Sequence, residues 1–327
     1  MNLFSKLGIS DDEAENRIKG IFETMFYGTE DERIYHPAGE DMGYIEDTGN
    51  HDVRTEGMSY GMMMCVQLDR KNEFDRIWKW AKTYMYMSEG ENAGYFAWSC
   101  STDGKKNAYG PAPDGEEFFA MALFFAAHRW GRGEGIFDYT VQAQNILHEC
   151  LHKGEYGTEG KPMWDVSNHL IKFITECDWS DPSYHLPHFY ELFAEWAYVE
   201  DRDFWKEAAN ASREYLKKAC DKNTGLSAEY AEYDGTPCVR AQDVFGRHDW
   251  FYSDAYRTAA NIGLDHVWFN ADTWQRTEAD NILKFFEENE PGIYLTDGTR
   301  IEGNALHPVG LLATLAQAAL AADEDIA

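Results

Sequence analysis

The feature that most constrains this chain is a succession of helical segments joined by connections of two very different lengths. Apolar residues recur at intervals of three and four over 11–27, 56–68, 71–88, 115–131, 138–152, 186–199, 202–221, 254–268, 271–290 and 308–322. That spacing turns one apolar face of a helix toward a core. Alternating strand patterns are nearly absent. Short links such as Asp69-Arg70 and Glu200-Asp201 alternate with long ones, rich in glycine, proline and aromatic residues, at 89–114, 153–185 and 222–253. Connections of the second kind carry function more often than they carry packing. The pattern predicts an all-α fold, a toroid of helical hairpins with an inner and an outer ring, whose long loops gather on one face as a cleft. No repeat, low-complexity stretch or linker divides the chain, so a single domain over 1–327 is expected.

Charge narrows the partners. Lys and Arg number 29 against 58 Asp and Glu, a formal charge of -29, which repels phosphate backbones and anionic lipid head groups. Nucleic acid and membrane surfaces are disfavoured on that ground, whereas a neutral substrate feels no such repulsion. The eleven tryptophans exceed what a core of aliphatic residues requires, so some rings are expected to face a ligand. The opening MNLFSKLGISDDEAENR turns acidic after a short apolar stretch, and no run reaches membrane-spanning length, which predicts a cytoplasmic protein. Cysteines 65, 100, 150, 177, 220 and 238 show no paired C-x-x-C spacing and read as reduced, buried thiols.

Three carboxylates stand at helix mouths. In RTEGMSYGMM, Thr55 can cap a helix whose first turn holds Glu56, with Gly57 and Gly61 four apart to permit close helix packing. In HDWFYSDAYR, Ser253 can cap and Asp254 falls in the first turn, three residues before Arg257, which can pair with it. In GPAPDGEEFF, Asp114 precedes a helix and Glu117 completes a capping-box pattern. Taken one at a time, each is explained by a cap or by dipole compensation. Together, beside Tyr60, Trp98 and Tyr252, they offer what glycosidic hydrolysis requires, a protonated acid on the leaving oxygen and an ionised carboxylate opposite. Asp254 beside Arg257 suits the ionised role. Glu56 has the harder task, because a helix end and Arg54 both favour its charged form, so burial and the charge of Asp114 must outweigh them.

These segments resemble glycoside hydrolase family 8. RTEGMSYGMM looks like its general-acid segment, APDGEEFFAMAL its second acidic segment, DPSYHLPHFYELFA its tyrosine loop and FYSDAYRTAANIGLD its general-base segment. The resemblance implies an (α/α)6 barrel and an inverting mechanism, with Glu56 as acid and Asp254 as base. It further implies that Asp114 holds the distorted sugar, that Tyr184 and Arg257 position water and base, and that Trp98 stacks on a sugar ring. No metal or organic cofactor is implied, and a monomer is expected. Within the family the likeness is to exo-oligoxylanases that release xylose from the reducing end of β-1,4-xylooligosaccharides. Their Leu-His-Pro kink is matched by Leu306-His307-Pro308, which implies that His307 contacts the anomeric hydroxyl of the terminal xylose. The segment 239–248 looks longer than its counterpart in relatives. Six hairpins need twelve helices, so the resemblance also implies that the last hairpin is missing here. An open barrel would expose apolar surface and be poorly stable, an expectation that a cooperative thermal transition at ordinary temperature overturns.

Other readings compete. His148-Glu149-Cys150-Leu151-His152 fits H-E-x-x-H, which on a helix puts two imidazoles on one face for zinc with Glu149 as base, the arrangement of a metalloprotease. A non-catalytic sugar-binding barrel would keep the aromatics without needing the acid and base. Within the family, endo-acting xylanase, cellulase or chitosanase activity is the nearer rival, because the acid and base do not themselves choose the sugar.

Overall fold

Ser10 accepts a hydrogen bond from the backbone N–H of Glu13 at 3.2 Å, satisfying one of the orphan donors where helix α1 (Asp11–Tyr27) begins. Asp138 does the same for Val141 at the start of α5 (Tyr139–His152). Between them lie α2 (Thr55–Gln67), α3 (Lys71–Trp80) and α4 (Pro113–Trp130). Proline opens α4 at the first helical position, where a missing N–H is no loss. These five helices and two antiparallel pairs, β1 (Tyr35–Ala38) with β2 (Met42–Ile45) and β3 (Val53–Arg54) with β4 (Ser99–Cys100), make up the first of two units. The computed structural model describes residues 3–323 and Ile326. The first unit runs to Met163 and includes Trp196–Val199.

The second unit comprises Trp164–Glu195 and the chain from Glu200 onward. It holds α6 (Pro187–Trp196) except for its last residue, α7 (Arg202–Ala219), the short α8 (Gln242–Phe245), α9 (Tyr256–Phe269), α10 (Trp274–Glu288) and α11 (Pro308–Ala318). Two more antiparallel pairs pin its loops, β5 (Trp164–Asp165) with β6 (Leu170–Ile171) and β7 (Ile293–Tyr294) with β8 (Arg300–Ile301). Each expected helical segment forms within a few residues of its predicted limits. Only α8 was not foreseen, because four residues are too few to show a helical period.

Burial separates two kinds of helix. In the first unit α4 is buried from Pro113 to Glu117, from Phe119 to Phe124 and at Ala126, so it faces protein on nearly every side. By contrast α3 buries Phe74, Ile77, Trp78 and Trp80 and keeps its charged residues outward, the pattern of a helix that covers a core from outside. In the second unit α7 is of the outer kind, while α9 packs closely on α11. A Cβ added to Gly263 of α9 would lie 2.7 Å from the Gln317 carbonyl oxygen and 2.9 Å from Ala318 Cα. Glycine is what permits that approach. At Gly61 of α2 the helix contact expected of Gly57 and Gly61 is shared with a strand. A Cβ there would meet Ile45 Cγ1 of β2 at 2.5 Å and Ile77 Cδ1 of α3 at 3.4 Å, so the strand crowds the glycine more closely than the neighbouring helix does.

A buried ionic cluster ties four helices of the second unit. Arg213 of α7 donates to Asp265 of α9 through Nε at 2.9 Å and Nη2 at 2.7 Å, and through Nη1 to Glu191 of α6 at 2.5 Å. Gln275 of α10 donates to the same Asp265. All six cysteines are free and buried, as their apolar surroundings in the sequence led one to expect. Among the described residues no helix is long and apolar enough to cross a membrane.

Candidate active site

The first unit carries Glu56, Asp114 and Trp98. Helix α2 starts one residue earlier than its capping pattern suggests. Arg54 occupies the cap position in an extended conformation, with no side-chain cap bond, and Thr55 is the first helical residue. Thr55 is buried for a different purpose: a Cβ on Gly115 would lie 2.4 Å from both Thr55 Cβ and Oγ1. The first turns of α2 and α4 therefore meet at Thr55 and Gly115, the neighbours in sequence of Glu56 and Asp114. Putting a methyl group into this contact overpacks it, so Gly115→Ala is expected to lower stability by about 1–3 kcal/mol. Its kcat should fall further than the unfolded fraction accounts for, because the two helix mouths are forced apart. A urea titration beside initial rates checks both parts.

Asp114 is not a cap. The cap position of α4 is Ala112, without a side-chain bond, and Asp114 and Glu117 are both buried inside the first turns, so the capping box does not form. The reason is Pro113, which starts the helix before Asp114 and turns that side chain inward. Asp114 Oδ1 accepts the N–H of Gly115 at 2.9 Å.

The sequence reading missed Glu116. Its Oε1 accepts the backbone N–H of Phe96 at 3.0 Å, and burial, reinforced by the charge of Asp114, pushes its carboxyl up to about 8 despite that bond. A neutral acid thus tethers the loop that leads to Trp98. The Trp98 N–H donates to the Gly110 carbonyl and its own carbonyl accepts from Thr55 N–H, both at 3.0 Å. Its ring is 37% exposed, and the Arg54 guanidinium lies 5.3 Å from the ring centroid. Arg54 Nε is also 3.0 Å from Asp52 and 3.1 Å from Asp47, so its charge is matched by two carboxylates of its own strand and turn.

The second unit carries Asp254, Arg257, Tyr184 and His307. Asp254 sits in a 3-10 turn, Ser253–Ala255, that leads into α9. Ser253 does not cap; it adopts φ +41°, a left-handed conformation disfavoured for serine, where the chain turns sharply from an extended run into the helix. That run is anchored by Phe251 N–H on the Tyr294 carbonyl at 2.7 Å. Arg257 Nη2 lies 3.4 Å from Asp254 Oδ1, the pairing expected from their spacing, and its guanidinium stands 5.5 Å from the Tyr184 ring centroid. Tyr184 ends the 3-10 turn Pro182–Tyr184, whose Ser183 N–H donates to Asp181 Oδ1 at 2.7 Å and whose Ser183 carbonyl accepts from Asn261 of α9 at 2.8 Å.

Asp181, also missed, is fully buried. Burial first, then the charge of Asp254, push its carboxyl well above the usual carboxylate range, against the opposing pull of Arg257. Burial thus disfavours the charged form of Asp181. The Asp-Pro dipeptide was the available signal, since it marks a turn held by the aspartate side chain. His307 lies at the cap position of α11, exposed, with its carbonyl accepting Leu311 N–H at 3.0 Å and Pro308 in the first helical position.

The long segment 239–248 ends at His248, which meets a second buried carboxyl group, Glu229. Glu229 Oε2 accepts from Trp250 Nε1 at 2.8 Å and faces His248 Nδ1 at 3.0 Å, while His248 Nε2 faces the Phe245 carbonyl at 3.1 Å. Both ring nitrogens meet acceptors, which only an imidazolium satisfies as donor on each side. Burial opposes that charge, but the bond to Glu229, its charge and the Phe245 carbonyl outweigh it and hold the His248 pKa above the ordinary histidine value. Burial also raises Glu229. Both groups hold protons more tightly folded than unfolded, so stability falls as pH rises. The His248 share is complete below its unfolded value near ~6.5 and is lost through its higher folded value. Urea midpoints measured from pH 6 upward should decline, and His248→Asn should flatten that decline; an equal slope in the variant would place the cause elsewhere.

In the H-E-x-x-H segment, Glu149 Oε2 lies 3.1 Å from Lys153 Nζ. The side chain also packs against Gly94, where an added Cβ would be 2.9 Å from Glu149 Cδ. Glu149 is thus occupied away from the two histidines, and the acid–base partner a zinc peptidase requires is not in place.

Residues 38–326 match the model of the family described as Glycosyl hydrolases family 8. The chain belongs to glycoside hydrolase family 8, and its all-α fold is of the (α/α)6-barrel class found in its structural relatives. It is 58% identical over 326 residues to the reducing-end xylose-releasing exo-oligoxylanase Rex8A of Paenibacillus barcinonensis, covering 98% of this chain and 85% of that one. A reducing end xylose-releasing exo-oligoxylanase of Bifidobacterium adolescentis is 51% identical over 322 residues, covering 98% and 83%. The solved structure of Rex8A complexed with xylose superposes with a TM-score of 0.97 at 56% identity, covering 99% of this chain and 86% of that one. Family membership removes the metalloprotease alternative.

Proposed function

We propose that this chain releases xylose from the reducing end of β-1,4-xylooligosaccharides by a single displacement with inversion. The observation that carries the reading is the 58% identity, over 98% of the chain, to an enzyme named for that activity. Glu56 and Asp254 are the two carboxyl groups the reaction needs. Glu56 donates its proton to the glycosidic oxygen as the bond to the anomeric carbon breaks. Asp254 takes a proton from the water that attacks that carbon from the opposite side, so one water is consumed and both residues exchange protons with solvent afterwards. Asp114 holds the sugar in its distorted form, Tyr184 and Arg257 orient water and base, and Trp98 offers a ring face to the C–H groups of a sugar. His307 recognises the anomeric hydroxyl that exists only at a reducing end. The enzyme acts as a monomer and one catalytic domain, without metal or organic cofactor and without nucleic acid or membrane partners. Six unpaired, buried thiols fit a reducing cytoplasm.

Xylotriose and its borohydride-reduced counterpart test this directly. Xylose should be released from the first and nothing from the second, and NMR of fresh product from xylotriose should show the α-anomer first. Cleavage of both substrates at similar rates would indicate an endo-acting enzyme instead, and an initial β-anomer would exclude inversion.

A further inference from the structure

Helix α5 ends in two histidines one turn apart that the hydrolytic reaction does not use. The His148 and His152 rings lie on the same face with centroids 4.3 Å apart and planes inclined by 36°. Both are partly exposed. Beyond the helix end, Glu155 Oε2 lies 2.9 Å from His152 Nδ1. A carboxylate there accepts a hydrogen bond from Nδ1–H, which sets the tautomer with the lone pair on Nε2; metal-binding histidines are generally oriented in this way. His148 is held on its other side by the Tyr198 ring, edge-on at 5.7 Å, and Tyr198 is fixed by its hydroxyl donating to Asn145 Oδ1 at 2.7 Å. Both imidazoles are therefore oriented by neighbours within the first unit.

We propose that His148 and His152 form a binding site for a divalent transition-metal cation, zinc being the fitting case, with Glu155 as the outer partner of His152. Two imidazoles at i and i+4 present nitrogen donors on one side of a helix, and imidazole suits Zn²⁺ as it does not suit Mg²⁺ or Ca²⁺. With Glu149 engaged by Lys153, the bound ion acts structurally. It clips the last turn of α5, where the helix passes through Lys153 into the left-handed Gly154. An ion that binds the folded chain and not the unfolded one raises the melting temperature, by an amount that grows with the logarithm of its concentration once that exceeds the dissociation constant.

Zinc chloride titrated calorimetrically into chelator-treated full-length protein at pH 7, with magnesium as control ion, tests the site. The wild type should bind Zn²⁺ and melt higher in its presence, and proton NMR should show the His148 and His152 ring signals shifting together. Each of His148→Ala and His152→Ala should lose the zinc-dependent rise in melting temperature while keeping the metal-free melting curve. Glu155→Gln should weaken binding by about 10–100-fold, the usual effect of removing an outer-shell partner, and Glu149→Gln should leave it unchanged. If a variant melts differently without metal, the ring signals of the wild type decide. Zinc binding undiminished in the two alanine variants, or wild-type ring signals that do not move, would overturn the proposal. Release of xylose should be the same with and without chelator, which separates this site from the hydrolytic one.

Discussion

Asp254→Asn should reduce xylotriose hydrolysis by about 10²- to 10⁴-fold, the range spanned by loss of a general base, while leaving the melting curve close to that of the wild type. Asparagine keeps the shape of the side chain, and Asp254 is 44% exposed, so little packing is lost. What disappears is the acceptor for the proton of the attacking water. The loss should fall on kcat more than on KM, because the carboxylate acts mainly in the transition state. Added azide gives a second readout. It attacks without losing a proton, so it should restore breakdown of substrate in an Asp254→Ala variant that has room for it. Initial rates with and without azide, beside a thermal melt, make the measurement. Near wild-type hydrolysis by Asp254→Asn would remove Asp254 from the mechanism and turn attention to the other carboxyls packed near it, Asp181 and Glu229.

Asp265→Asn should lower folding stability by about 3–5 kcal/mol, the effect of leaving one member of a buried ion pair without its partner. Asp265 is fully buried and Arg213 nearly so, and the guanidinium engages both carboxylate oxygens. Asparagine retains one acceptor oxygen but removes the charge, so the Arg213 cation keeps only Glu191, whose side chain is 30% exposed and correspondingly more screened. Helices α6, α7, α9 and α10 meet at this cluster, and α9 is the helix that follows Asp254. The substitution should therefore also reduce kcat at temperatures where the protein remains folded. Urea unfolding followed by circular dichroism measures the first effect, and rates at low temperature the second. A loss below about 1 kcal/mol would mean that the pair is effectively solvated and contributes as a surface pair does.

The contrast between these two aspartates shows what could be read from residues in order. Asp254 was legible because its surroundings are local: Arg257 three residues on, and the start of a helix. Asp265 was not, since its partners Arg213 and Gln275 come from other helices. Glu116 and Asp181 escaped for the same reason. A carboxyl group is kept neutral by what buries it, and burial is supplied by segments distant along the chain, here the Phe96 loop and the cluster around Asp254.

The caps were misread in a consistent way. Thr55, Asp114 and Ser253 all have the chemistry of a helix cap, yet the cap positions fall on Arg54, Ala112 and Tyr252. Pro113 begins α4 before Asp114, the close contact with Gly115 buries Thr55, and the entry into α9 bends at Ser253. A capping residue is chosen by the backbone angle at which the chain arrives, which neighbouring segments impose.

The order of helices, their approximate limits, the thiols without partners and the pairing of Asp254 with Arg257 were therefore determined by the sequence itself, through periodicity and nearest-neighbour chemistry. Tertiary structure alone decided that Ile45 of β2 crowds Gly61 more closely than helix α3 does, that Thr55 meets Gly115, that burial raises the carboxyls of Glu116 and Asp181, and that Glu149 turns from the two histidines to Lys153. The physical reason is the same throughout. Helical period acts over a few residues, whereas burial, and the desolvation that sets which carboxyl is charged, depends on contacts between residues that only folding brings together.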